Sequence, residues 1–336
     1  MSVRKIRRGY DVKEKRMSGP NTVLGGRGLY ATAAALAASA VFNRVAGTRA
    51  ERRFPPVGHI VDVDGVAVHV LERGSGDPVV LIHGSGSLIQ DFMTSGLVDR
   101  LAATRRVIVF DRPGYGYSER PRGSGWTPER QAALLVAACA RLGVERPVIL
   151  GHSWGTLVAV AWALDHPEAL SRLVLASGYF FPTLRADALP TAIAGMPVVG
   201  DLFAHTVAPL QTRLTGPLGN RMIFSPARPT RAFLNDMPFG LMLRPGHLRA
   251  TAADSGQMPV AAARLAKRYD ALTLPVTILW GEGDKLVDQA GQSARLLREL
   301  PQATGREIAG GGHMFHHVRP DVVAGAILTS DDSERG

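Results

Sequence analysis

A single cysteine, Cys139, stands among the 336 residues. It sits in the Ala-rich run 132–140 and reads as a small core residue on a helix. One thiol builds neither a disulfide framework nor a thiolate metal site. Membrane-length hydrophobic runs are scarce as well. The N-terminal candidate is the uncharged, mostly alanine stretch 28–43. As a helix it would span roughly 24 Å. That is short of a hydrocarbon core of ~30 Å, unless the bracketing Arg27 and Arg44 snorkel. Internal repeats are missing too.

The formal net charge of +10 suggests a nucleic-acid partner until it is located. Twelve of the 39 Lys and Arg fall in residues 1–53, with only three of the 29 Asp and Glu. The rest of the chain is nearly neutral, so a basic groove for nucleic acid is not supported. The excess belongs to a leader, for which three readings are open. Residues 28–43 could anchor the chain to a membrane. A basic region, an apolar one and Ala38-Ser39-Ala40 also resemble a cleaved secretory signal. The third reading is a soluble, Ala-rich helix of a cytoplasmic protein. Met17 is an alternative start that would remove most of the basic residues. Residues 44–58 read as a linker, so deleting residues 1–50 is expected to leave a soluble, active domain.

What the chain does contain is organised around Gly151-His152-Ser153-Trp154-Gly155. The β-branched run 147–150 precedes it, and an apolar, helix-length stretch follows it. This is the G-x-S-x-G elbow pattern, in which a serine caps a sharp strand-to-helix turn. Glycines two before and two after the serine leave room where any Cβ would collide. Ser153 is thereby exposed beside a helix start, where the Trp154 N–H favours negative charge.

Short strands and helices alternate around this point. Strands are expected at 59–63 and 66–71, flanking the hairpin signal Asp64-Gly65. Others fall at 79–82, 107–110, 147–150, 173–175, 276–280 and, weakly, 306–308. Helices are expected at 88–103, 127–141 (Thr127 as N-cap, Pro128 just inside), 154–165, 290–300 and 320–329. This pattern predicts a mostly parallel, doubly wound α/β sheet of eight strands, opened by an antiparallel hairpin. From 178 to 270 the strand pattern stops, and a Phe-, Met- and Pro-bearing helical insert is expected. The organisation read from sequence is leader and linker 1–58, core 59–177, insert 178–270, core 271–330 and tail 331–336.

A serine hydroxyl needs a base, and the base needs an orienting acid. His313, after Gly310-Gly311-Gly312, lies where a flexible loop can bring an imidazole over the elbow. Asp284, in Gly281-Glu282-Gly283-Asp284 after the seventh strand, is the acid of choice. Glu282 would have to bend back, and Asp288 is better placed to cap the following helix. The two oxyanion donors are expected to be the backbone N–H groups of Trp154 and of Ser85, the latter in His83-Gly84-Ser85-Gly86. His83, His152, His316 and His317 read as structural, and Asp111 as a turn-stabilising carboxylate. Nothing in the chain calls for a metal or an organic cofactor.

These motifs, with Asp111-Arg112-Pro113-Gly114-Tyr115-Gly116-Tyr117-Ser118 and Trp280-Gly281-Glu282-Gly283-Asp284, resemble the α/β-hydrolase fold superfamily over about residues 59–328. The chain is similar to the branch holding epoxide hydrolases, haloalkane dehalogenases and cofactor-free haloperoxidases. The resemblance implies a helical cap at 178–270 and a small-molecule substrate. Epoxide hydrolases and dehalogenases carry aspartate as nucleophile, whereas here that position is Ser153. An acyl-enzyme route is therefore expected, on an ester, lactone or related carbonyl substrate with an apolar part. C–C hydrolysis or perhydrolysis by the same triad, and a ligand-binding receptor with little turnover, are the alternatives.

Overall fold

The computed structural model describes residues 22–123, 125–183 and 198–328. The basic residues 1–20, part of the insert (184–197) and the tail 331–336 lie outside the described residues. Eight strands form one sheet: β1 (His59–Val63), β2 (Val66–Arg73), β3 (Pro78–Ile82), β4 (Arg106–Phe110), β5 (Val148–His152), β6 (Arg172–Ala176), β7 (Val276–Gly281) and β8 (Ala303–Ile308). Their spatial order is β1-β2-β4-β3-β5-β6-β7-β8. The β1–β2 and β2–β4 pairs are antiparallel, and all the others are parallel.

The local reasons are legible in the residues. Asp64 and Gly65 both adopt positive φ (53° and 81°), as a two-residue hairpin turn requires. β3 to β6 are runs of Val, Leu and Ile buried on both faces, as parallel strands between helical layers must be. One face packs on α4 (Pro128–Arg141) and α5 (Gly155–Asp165), through Leu135, Leu157 and Trp162. The other packs on α2 (Gln90–Thr94), α3 (Leu97–Ala102) and the C-terminal Pro320–Leu328 helix, through Phe92, Leu101 and Val323. The expected single helix over 88–103 is divided at Gly96, whose φ of 75° ends one helix and starts the next. β5 also runs two residues further than the apolar pattern, because Gly151 and His152 still pair with β6.

Between β6 and β7 the described chain is helical: α6 (Val199–His205), α7 (Val207–Phe224), α8 (Arg231–Asp236), α9 (Phe239–Met242) and α10 (Pro245–Ala266). After β7 follow α11 (Ser293–Glu299), then β8, α12 (Phe315–Val318) and α13 (Pro320–Leu328). α10 lies over the elbow, since Trp154 Nε1 donates to the Asp254 carbonyl at 2.9 Å.

The linker expected from residue 44 is not one. α1 (Thr22–Arg53) continues through it, and the extended connection starts only at Phe54. The second half of α1 is part of the fold. Asn43 is buried and donates to the carbonyls of His205 and Thr206. Ala50 packs with Leu88 and Leu241, and Arg244 pairs with Glu51 at 3.0 Å. Deleting residues 1–50 therefore removes the buried contacts of Asn43 and Ala50, which a linker reading does not include. Deletion through residue 37 should leave the melting temperature within ~2 °C, whereas deletion through residue 50 should lower it by about 5 °C or more. Thermal unfolding followed by circular dichroism on both variants checks this, and equal melting temperatures would contradict it.

Candidate active site

Backbone crowding shapes the elbow. A Cβ on Gly151 would meet the Gly155 carbonyl oxygen at 2.7 Å, and one on Gly155 would meet that of Ile82 at 2.3 Å. Only glycine fits either position. Ser153 itself is held at φ 52°, a left-handed conformation costing a non-glycine residue about 1–3 kcal/mol. Its N–H donates to the Ala176 carbonyl at 2.8 Å, which ties the turn to β6.

The structure brings the expected side chains together. Ser153 Oγ lies 2.9 Å from His313 Nε2, and His313 Nδ1 lies 2.8 Å from Asp284 Oδ2. With the Nδ1–H directed at a carboxylate, Nε2 is the acceptor for the serine proton. Asp284 is fixed by the amides of Leu286 and Val287 on Oδ1 and by the Gln289 amide on Oδ2. Burial alone would push its carboxyl up. The His313 hydrogen bond and charge, together with the two backbone amides, outweigh this and hold it below the usual carboxylate range. It is therefore an anion aimed at the Nδ1 side of His313.

The competing carboxylates lie elsewhere. Glu282 accepts from the Gly310 N–H at 3.0 Å and so braces the loop that carries His313. Asp288 is exposed and does not cap a helix, because α11 begins only at Ser293, after Gln292. The capping role read from sequence is thus corrected.

The β3 loop passes so close to the elbow that a Cβ on Gly84 would lie 3.0 Å from Ser153 Cβ. Among the described residues, neither the Ser85 nor the Trp154 N–H donates to another protein group. The Trp154 amide follows the serine directly in the chain, and the Ser85 amide follows Gly84, the point of closest approach of the β3 loop. Behind them Arg112, fully buried, is sandwiched between the rings of Tyr115 and Trp154 at 4.5 and 4.4 Å. Its guanidinium pairs with Asp254 at 2.7 Å, and Arg120 reaches the other carboxylate oxygen at 2.9 Å. The sequence reading missed this network. Arg112 was visible in its loop motif, but nothing local marks Asp254, far along the chain in the insert, as its partner.

Further buried histidines brace the site's surroundings. His83 donates from Nδ1 to the Gly84 carbonyl and accepts the Arg112 N–H on Nε2; burial and then Arg112 lower its pKa to about 4. Asp111 accepts from the Ile89 and Tyr117 amides and from His69, holding its loop. His152 donates to the His313 carbonyl at 3.0 Å. His316 and His317 both reach Asp91 Oδ1, at 3.2 and 2.6 Å, a buried carboxylate that the sequence reading overlooked. Asp91, His152 and His316 offer ligand atoms within 4.8 Å of one another. Within that group His316 Nε2 and Asp91 Oδ1 are already joined at 3.2 Å, a hydrogen-bond length.

If Asp284 orients His313, Asp284→Asn should lower turnover by about 10³–10⁴, as the wrong tautomer does elsewhere. Asp288→Asn should leave both turnover and stability nearly unchanged. Steady-state kinetics on the two purified variants decide between them, and a large loss in the Asp288 variant alone would reverse the assignment.

The family model described as alpha/beta hydrolase fold matches residues 77–320. A 2-hydroxymuconate semialdehyde hydrolase from Pseudomonas putida is 35% identical over 162 residues, covering 46% of this chain and 58% of that protein. The chain thus matches little more than half the length of that relative. Among solved structures, an alpha/beta hydrolase fold protein from Burkholderia ambifaria superposes with a TM-score of 0.68 at 20% identity, covering 81% of this chain and 97% of that one. A membrane phospholipase A, described as a bacterial virulence factor, gives 0.63 at 22% identity and covers 93% and 98%. The family match spans the sheet from β3 to the start of α13 and takes in both the elbow and the histidine loop, and by it the chain belongs to the alpha/beta hydrolase fold family.

Proposed function

We propose that this protein is a serine hydrolase that opens an ester, lactone or related carbonyl substrate with an apolar part through an acyl-enzyme. The observation that carries this reading is the continuous hydrogen-bonded relay Ser153–His313–Asp284, with steps of 2.9 and 2.8 Å. In it, His313 Nε2 takes the Ser153 proton as Oγ attacks the carbonyl carbon, and Asp284 stabilises the imidazolium. The Ser85 and Trp154 N–H groups receive the developing oxyanion. His313 then protonates the leaving alcohol, activates water, and the acyl-enzyme is hydrolysed. The insert is the cap, with α10 as its contact with the elbow through Asp254 and Trp154.

A second reading is favoured by the Pseudomonas putida relative, whose name is that of a C–C hydrolase. The same relay would there protonate a carbon leaving group. Membrane association is also proposed. Residues Gly28–Arg53 form the one helix among the described residues long and apolar enough to cross a membrane, with little of its apolar window buried inside the protein and its second half docked on the fold.

A panel of p-nitrophenyl esters of graded acyl length tests the main reading. Turnover should be measurable and favour the longer, apolar acyl groups, and Ser153→Ala should remove several orders of magnitude of it while the protein stays folded. Retention of more than a few per cent of activity by clean Ser153→Ala protein would sink the assignment. Hydrolysis of 2-hydroxymuconate semialdehyde together with inertness to every ester would favour C–C cleavage.

A further inference from the structure

Helix α7 is built in a way that packing inside the protein does not explain. Across its 18 residues the buried ones are Ala208, Pro209 and Phe224, all near its ends. No residue from Leu210 to Ile223 is buried. That same stretch holds Gly216, Pro217 and Gly219, which oppose a helix by about 1, 3 and 1 kcal/mol respectively. An isolated helix of this length is marginal in water even with good formers.

What this helix presents outward is apolar. Val207, Leu210, Leu214, Leu218 and Met222 follow one another at steps of three or four residues, so they lie on one face, and all are exposed. Leu214 is 83% and Leu218 72% exposed. Scattered surface leucines need no explanation, but a contiguous stripe does. Leu202 and Val199 extend it onto α6, at 54% and 50% exposed.

Two further observations say what covers this face. First, the stripe is continuous with α1. Ser39 and Asn43 of α1 hydrogen-bond the Thr206 carbonyl at the α6–α7 junction, and Arg213 stacks on Phe42 at 5.1 Å. Val41 and Phe42, beside that contact, are themselves exposed. Second, α7 itself carries Arg213 and Arg221 and no Asp or Glu, while Asp201 on α6 is paired with Arg122 and Arg249 and Glu51 on α1 with Arg244. An apolar stripe with a helix-borne basic fringe is the pattern of an element lying in the interface of an anionic bilayer.

We infer that α7, with α6, rests its outer face in the interfacial layer of the lipid bilayer that α1 enters. This rests on the membrane reading of α1 given above. α7 is then a wall between lipid and a cavity of about 990 Å³ on its inner side, lined by Arg213, Asn220, Leu234, Phe239 and Met242 among others. The cavity reaches Ser225, whose carbonyl crowds Gly312 beside His313. The substrate class that fits is an acyl lipid delivered from the membrane rather than a water-soluble ester.

The test uses the full-length chain in vesicles of three parts phosphatidylcholine to one part phosphatidylglycerol, with lipids brominated on the acyl chain. Leu214→Trp and Leu218→Trp should each lose roughly half of the added indole fluorescence to bromine, as a side chain at the acyl boundary does. Ile60→Trp, on the exposed edge strand β1, should lose none. Carbonate-resistant co-sedimentation reports the α1 anchor separately. Co-sedimentation without quenching at 214 and 218 would overturn the seating of α7 and leave the anchor standing. Failure to co-sediment would remove both. A blue shift at 214 that accompanies a cross-linkable dimer in detergent, with no quenching in vesicles, would mean that a second copy covers the stripe, which also overturns it.

Discussion

The constraint on which the site depends is the absence of side-chain atoms at three points of backbone contact. β5 ends, α5 begins and the β3 loop passes within a space that admits no Cβ at Gly151 or Gly155 and almost none at Gly84. This crowding is what holds Ser153 in a conformation that a serine would otherwise leave. The energy stored there, about 1–3 kcal/mol, is small beside the packing of a fully buried sheet. The strain persists because β5 and β6 on one side and α5 on the other leave the chain no other path. Position, and therefore chemistry, follows: the hydroxyl is presented at the carboxyl ends of the parallel strands, where the loops after β3, β7 and β8 converge.

The second layer of control lies in buried charge. Arg112 joins the loop after β4 to Asp254 of the insert and fills the space between Tyr115 and Trp154. Removing either partner of such a pair leaves an uncompensated buried charge, a cost of about 3–5 kcal/mol. The insert is thus fastened directly behind the Trp154 amide that flanks the serine. On the opposite side Asp91, His316 and His317 fasten α12 to α2, and His152 holds the His313 carbonyl. Polar contacts on both sides confine the imidazole, and the glycines ahead of it are held by hydrogen bonds to Glu282 and Ile308.

Much of this was legible because it is local. The strand and helix alternation, the Asp64-Gly65 turn and the Thr127 cap are each written within a few residues. Ser153, Asp284 and His313 could be named because topology puts strand ends together even when the sequence positions are far apart. What could not be read depends on partners with no local mark. Asp91 and Asp254 look like ordinary carboxylates until the fold buries them against histidine and arginine. The end of α1 was misread for a related reason. Residues 44–53 carry a charge pattern that suits a solvated linker, yet Asn43 and Ala50 have tertiary partners in the insert that make the segment helical and part of the core. Asp288 failed as a cap because the chain after β7 takes a further turn before α11 starts.

The claim that Ser153 is an activated nucleophile is tested most directly by covalent labelling of the intact protein with a fluorophosphonate and mapping of the adduct by mass spectrometry. The hydroxyl held 2.9 Å from the His313 imidazole should react at one site. A single adduct on the peptide carrying Ser153, lost in Asp284→Asn or His313→Ala protein, is the result predicted. An unlabelled Ser153, or an adduct on another serine in folded and active protein, would contradict the account.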